Sequence, residues 1–172
     1  MKSTLSSMTR RDLLARTVAA GATFVVGSGF VGDRSMAWAM EVRHLQPGTM
    51  ATLIQMARDI YPHDRIADEY YAAAVKGYDA EDQAAMVEAG VAALDAAAIG
   101  KGHASYLAMG WERDRVDVLR AMADSPFFQT IRGGLVTGLY NQKAVWPLFG
   151  YEGESYSQGG YIDRGFDDIN WI

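Results

Sequence analysis

Hydrophobic positions recur at a helical spacing through the middle of this chain. Met50, Leu53, Ile54, Ala57 and Ile60 fall at i, i+3 and i+4, one face of an amphipathic helix. Thr49, after Pro47-Gly48, is the expected N-cap, and Pro62 stops the helix at Tyr61. A short helix is predicted over 68–76, with Tyr71, Ala74 and Val75 on one side. Asp79 and Asp82 read as a capping pair for the next helix, where an acidic start suits the helix dipole. Its apolar face is Met86, Val87, Val91, Leu94 and Ala98, up to Gly100-Lys101-Gly102. Residues 103–110 form one more turn or two. Residues 112–123 are helical, with Val116, Leu119 and Met122 inward. Ser125-Pro126 restarts the chain as N-cap and N1, and Phe128, Ile131, Leu135 and Leu139 form the last face.

No strand alternation interrupts residues 49–145, and no fixed-period repeat is present. The expected fold is all-α, a small array of five or six helices around one modest core.

The two ends depart from this pattern. At the N-terminus, Lys2, Arg10, Arg11, Arg16 and Arg34 outweigh Asp12 and Asp33, although the whole chain of 172 residues has a formal charge of −5. Residues 17–32 then run sixteen positions without a charge, and Ala37-Trp38-Ala39 fits the small-x-small cleavage pattern. This is the layout of an export signal. Within it, Thr9-Arg10-Arg11-Asp12-Leu13-Leu14 resembles the twin-arginine (Tat) motif, an address read by a receptor. Arg10, Arg11, Leu13, Leu14, Ala37 and Ala39 are therefore the expected export residues. The run is shorter than the roughly 20 residues of a spanning helix, and four glycines dilute it. It suits a signal better than an anchor. Gly27-Ser28-Gly29-Phe30-Val31-Gly32 matches G-x-G-x-x-G, but no helix, second strand or distal acid follows as a dinucleotide site requires.

At the other end, residues 150–172 lose the helical period. More than half of the chain's Phe, Trp and Tyr residues lie from Phe127 onward, and Gly150, Gly153, Gly159, Gly160 and Gly165 punctuate the tail. Disordered tails are poor in aromatics, so this one is expected to lie on a surface. That surface is its own helices or a partner protein, since Trp and Tyr are frequent interface anchors. Three segments result: a signal at 1–39, a helical domain at 40–149 and an extended tail at 150–172. Trp146, Phe149, Tyr151, Tyr161, Phe166 and Trp171 are the expected partner-binding residues.

Composition narrows the chemistry. With no cysteine there is no disulfide, thiolate metal site, iron–sulfur cluster or cysteine nucleophile. A pI near 5.1 excludes a broad basic surface for nucleic acid. His44, His63 and His103 form no spaced metal pair. Pro62-His63-Asp64 could orient an imidazole, but such turns are common. Asp167-Asp168 lacks the ligand pattern of an EF-hand. Gly133-Gly134 and Gly138 are followed by no Gly-Lys-Ser/Thr and read as close helix contacts. Glu152 and Glu154 are not placed in a cleft by anything in the sequence. No catalytic, cofactor-binding or metal-ligating residue is expected in this chain.

Several segments together resemble a known family. They are Ile60-Tyr61-Pro62-His63-Asp64, Ser125-Pro126-Phe127-Phe128, Leu139-Tyr140-Asn141 and the run Trp146-Pro147-Leu148-Phe149-Gly150-Tyr151-Glu152-Gly153. Gly159-Gly160-Tyr161 and Arg164-Gly165-Phe166-Asp167-Asp168-Ile169-Asn170-Trp171 complete the set. With the Tat signal and the helical body, the chain resembles the small third subunit of the gluconate 2-dehydrogenase type. The resemblance implies a non-catalytic escort. Its partners would be the Tat translocase and a large subunit of the glucose–methanol–choline family, which holds FAD and oxidises sugars, polyols or sugar acids. A cytochrome c subunit often accompanies the pair. The implied location is the periplasm, with attachment to the inner membrane through the complex. Some family members carry cysteines that this chain lacks, so no disulfide to the large subunit is expected. Two other readings stay open: a stand-alone periplasmic binding or stress protein with a self-packed tail, and a small periplasmic enzyme using His63 or His103.

Overall fold

The computed structural model describes residues 42–162. The expected signal residues Arg10, Arg11, Leu13, Leu14, Ala37 and Ala39, and the tail residues Phe166 and Trp171, lie outside the described residues. Five α-helices and no strands are present among those described: α1 (Pro47–Ile60), α2 (Asp68–Val75), α3 (Glu81–Gly100), α4 (Glu112–Ala121) and α5 (Pro126–Tyr140). Single 3₁₀ turns follow α2 at Lys76–Tyr78 and α5 at Trp146–Phe149, with a last one at Ser155–Gln158. The all-α expectation is met.

Helix α1 is the hub and packs against each of the other four helices. Its sequence explains this. Arg58 and Asp59 are its only charged residues, so nearly every face is apolar or small and can be buried. Leu53, Met56 and Ala57 are fully enclosed, and even Thr49 and Thr52 are buried. Helix α2 lies between α1 and α5, and α3 closes the other side through Val87, Gly90, Val91, Leu94 and Ala98. By length and composition α3 could also cross a membrane, a test that a core helix passes equally well.

Three close approaches fix the packing. A Cβ on Gly90 would lie 2.2 Å from the Phe127 ring, so the missing side chain of α3 is the seat of that ring. Gly138 of α5 lets the backbone of Ala74 approach to the distance at which a Cβ would be 3.0 Å away. Gly134 receives the Tyr78 hydroxyl, which donates to the Thr130 carbonyl at 2.9 Å. The expected glycine contacts thus hold for Gly134 and Gly138. Gly133 faces open space.

Several local expectations are corrected. Helix α1 starts at Pro47 with Gln46 as N-cap, and Thr49 sits inside it. Its first turn is closed from another helix: Glu88 of α3 accepts from the Gln46 N–H at 2.7 Å and from the Thr49 hydroxyl at 2.6 Å. Asp79 does not cap α3, whose N-cap Ala80 makes no side-chain bond. It clasps the chain before α1 instead, accepting from the N–H groups of Arg43, His44 and Leu45 at 2.7–2.9 Å. Burial alone would raise the pKa of this carboxyl, but the three backbone donors outweigh that and hold it below the usual range. In α4 the buried residues are Val118 and Leu119, while Val116 and Met122 are half-buried. In α5 the core position is Phe127, not Phe128. Ser125 does cap α5, accepting from the Phe128 N–H at 3.2 Å.

Candidate functional site

Two polar centres lie beneath the surface, and they do different work. The first joins α1 to α4. Asp59, buried at the end of α1, accepts from Arg115 Nε at 2.7 Å and Nη2 at 2.9 Å. It also accepts from the Tyr106 hydroxyl at 2.7 Å and from Gln55 at 3.0 Å. Each carboxylate oxygen thus has two donors, the condition under which a buried charge is tolerated. Arg115 donates further to the Met109 carbonyl, and Asp95 accepts from the Tyr106 N–H. The network therefore pins the whole loop between α3 and α4, where Tyr106 and Met109 are buried. Burial, reinforced by Asp59, pushes the Tyr106 hydroxyl far above its ordinary value and keeps it a donor. With every member satisfied, this centre fastens the fold.

The second centre is where the tail leaves the body. Pro62 ends α1 and turns His63 toward the end of α5, where His63 Nε2 meets the Tyr140 hydroxyl at 2.7 Å. Tyr61 packs edge-on to Tyr140. Burial, then Tyr61, raises the pKa of the Tyr140 hydroxyl. The chain then passes Asn141 and reaches the 3₁₀ turn at Trp146–Phe149, and this turn folds back over the pair. The Trp146 indole N–H donates to the Tyr140 carbonyl at 2.8 Å. Phe149 places its ring edge-on to His63 at a centroid separation of 5.2 Å. Gly150, at φ +74°, permits the reversal that brings the Tyr151 N–H onto the Trp146 carbonyl at 3.0 Å. Tyr151 then packs against the Trp146 ring. Lys143 and Glu154, 2.7 Å apart, close the loop from outside, and that hydrogen bond lowers the pKa of Glu154.

This arrangement leaves aromatic surface uncovered. Phe149 and Tyr151 are about half exposed at 50% and 49%, and Tyr161 is 63% exposed. Tyr156, a residue absent from the expected anchors, is 93% exposed and Ile162 85%. Trp146 is half-buried and held by its own chain. Beside Phe149, an open groove of about 350 Å³ runs between Leu148 and the 62–66 turn, with His63 and Ile66 in its wall. Asp64 and Arg65 also line this groove, so its wall is mixed in character. The structure thus brings Trp146, Phe149 and Tyr151 together around His63 and Tyr140. The sequence reading had left His63 outside this group, though its place directly after the helix-stopping Pro62 marked it as a turn residue.

Of the other sequence candidates, His44 is exposed and contributes its N–H to the Asp79 clasp. His103 is half-buried beyond the end of α3, its N–H on the Ala98 carbonyl. Glu154 is engaged by Lys143, and the Glu152 carbonyl accepts from Gln158. Comparison with protein-family models, curated proteins and solved structures found no match.

Proposed function

We propose that this chain is the non-catalytic small subunit of a periplasmic FAD-dependent dehydrogenase complex acting on sugars, polyols or sugar acids. It escorts the folded flavoprotein through the Tat pathway and stabilises it afterwards. The observation that carries the reading is the set of exposed apolar side chains Phe149, Tyr151, Tyr156, Tyr161 and Ile162 in the segment that follows a well-packed helical core. The twin-arginine layout at Arg10 and Arg11 supplies the address. The physical logic is that FAD is inserted in the cytoplasm and Tat carries folded cargo. A flavoprotein without a signal crosses only while bound to a chain that has one. An interface that must survive transport favours a large contact with buried aromatic anchors.

The test is co-expression with a flavin dehydrogenase large subunit that lacks its own signal. Replacing both Arg10 and Arg11 with Lys keeps the charge but removes the planar guanidinium fork. Dehydrogenase activity should then stay in the cytoplasm. Normal periplasmic activity in the Arg10→Lys/Arg11→Lys chain would overturn the export reading.

One observation favours a second reading, a stand-alone periplasmic protein with a self-packed tail: Trp146 and Phe149 rest on the chain's own helices. That reading leaves Tyr156 and Ile162 without a role.

A further inference from the structure

Beside the Asp59 centre, the end of α1 opens into a polar cleft of about 200 Å³. Arg58 and Asp59, the only charged residues of α1, turn to different neighbours there. Arg58 reaches Asp68 at the start of α2, and Asp59 reaches Arg115 of α4. Ile54 and Pro62 supply the apolar part of the lining.

The Asp59–Arg115 pair is fully bonded and has nothing left for a ligand. Arg58 differs. Only its Nη1 is engaged, by the Ile66 carbonyl at 3.4 Å and by Asp68. The Tyr71 ring lies against the guanidinium, 5.5 Å from centroid to carbon. The group is thus held in place while its side chain stays 37% exposed. Its Nε–Nη2 edge remains for a ligand, and that is an edge which takes a carboxylate through two parallel bonds. Glu112, in the first turn of α4, is exposed and makes no ion pair among the described residues. Arg115 feels its charge, but is already bonded to Asp59 and the Met109 carbonyl.

These charges select the ligand. The lining sets Arg58 and Arg115 against Asp59, Asp64, Asp68 and Glu112, so a lone anion is repelled. A lone cation would cover the Arg58 edge without bonding it, and an unmade bond to a desolvated donor is costly. A molecule with a carboxylate at one end and an ammonium at the other satisfies both. Helices α2 and α4 each pack on α1, and packed helices stand about 8–10 Å apart axis to axis. The two charged ends must therefore be separated by several carbons, which lie over Ile54 and Pro62. The cleft is smaller than the roughly 300 Å³ at which sites for drug-sized ligands begin, so it has room for one short chain.

We infer that this cleft binds a short ω-amino acid, its carboxylate on the Nε–Nη2 edge of Arg58 and its ammonium on Glu112. The site lies in the helical body and stands apart from the export and flavoprotein readings.

The probe is γ-aminobutyrate, titrated into the isotopically labelled full chain and followed by NMR at residues 58–68 and 112–115. Saturable shifts are expected at both walls. Butyrate and butylamine should each bind at least about tenfold more weakly, since each lacks one charge-assisted bond. Glu112→Gln, at an exposed site, should weaken γ-aminobutyrate by about tenfold or more with the melting temperature unchanged. Arg58→Lys keeps the charge but removes the two-bond edge, and should weaken binding to a similar degree. If Arg58→Lys also lowers the melting temperature through the altered Asp68 contact, the Glu112→Gln result decides alone. Absence of a saturable shift would overturn the inference. So would unchanged affinity in Glu112→Gln, or butylamine binding as tightly as γ-aminobutyrate, which would make the cleft a plain cation site. None of these measurements involves export or the flavoprotein, so failure here is distinguishable from failure of the proposed function.

Discussion

The helical body and the extension after α5 use the same residue types to opposite ends. In the body, Tyr71 and Tyr106 are fully buried, and each hydroxyl is satisfied, by the Tyr61 carbonyl and by Asp59. In the extension, Tyr156 and Tyr161 have their rings largely in water. The difference lies in what each region is folded against. Body aromatics fill space between helices that α1 organises. Extension aromatics sit on, between or just after two short 3₁₀ turns, Trp146–Phe149 and Ser155–Gln158, the first fixed by Trp146 and a few backbone bonds. The helices and Val145 at the base of the extension share one core, while Tyr156, Tyr161 and Ile162 beyond it stay largely exposed.

The sharpest way to break this contrast is to disable the body. Asp59→Ala strands Arg115 and the Tyr106 hydroxyl in a buried site, and removing one partner of such a pair costs about 3–5 kcal/mol. The melting temperature should fall by on the order of 10 °C or more. A loss under about 1 kcal/mol by urea titration would show that the α1–α4 pin is dispensable. A smaller effect is expected where the two regions join. Trp146→Ala removes the bond to the Tyr140 carbonyl and the ring beneath Tyr151, costing the body about 1 kcal/mol. Proteolysis within 146–162 should nevertheless accelerate by about tenfold or more, because the turn opens locally. Equal loss of protection throughout the chain would mean that body and extension unfold as one unit. The smallest effect is at the Asp79 clasp. Its carboxyl titrates lower in the fold than in the unfolded chain, so its contribution is full above about pH 4. That contribution is lost as pH falls through the folded value. Amide exchange at residues 43–45 should accelerate only in that acid range, and Asp79→Asn should abolish the acid dependence. A change between pH 5 and 8 would contradict the assignment.

Much of the body was legible from local pattern. The helical period marks every helix, Pro62 marks the end of α1, and Ser125-Pro126 marks the start of α5. What the sequence did not reveal depends on partners far away along the chain. Glu88 closes the first turn of α1 from 39 residues beyond Thr49, and Asp59 meets Arg115 across 56 residues. No local rule predicts either pairing, although a helix with only Arg58 and Asp59 charged should have signalled a buried hub. The exchange of Phe128 for Phe127 has the same origin. Neighbouring positions on a helix compete for the core, and the vacancy at Gly90 decides between them. In the extension, aromatic density without helical period marked the segment that leaves the helical body. It could not show that Trp146 would serve its own chain while Tyr156 stood clear, because that division follows from the His63–Tyr140 pair on which the turn rests.

The most direct test of the proposed division between a packed helical core and a partner-binding extension is the double variant Phe149→Ala/Tyr151→Ala, measured both alone and with a candidate flavoprotein subunit. Aromatic anchors at an interface centre typically cost about 2 kcal/mol or more each when truncated, so the two together should weaken the complex by roughly a thousandfold. The chain alone should melt within a few degrees of wild type, since both side chains are half exposed. A variant that melts far lower by itself yet binds the flavoprotein with unchanged affinity would contradict the account and make the turn part of the core.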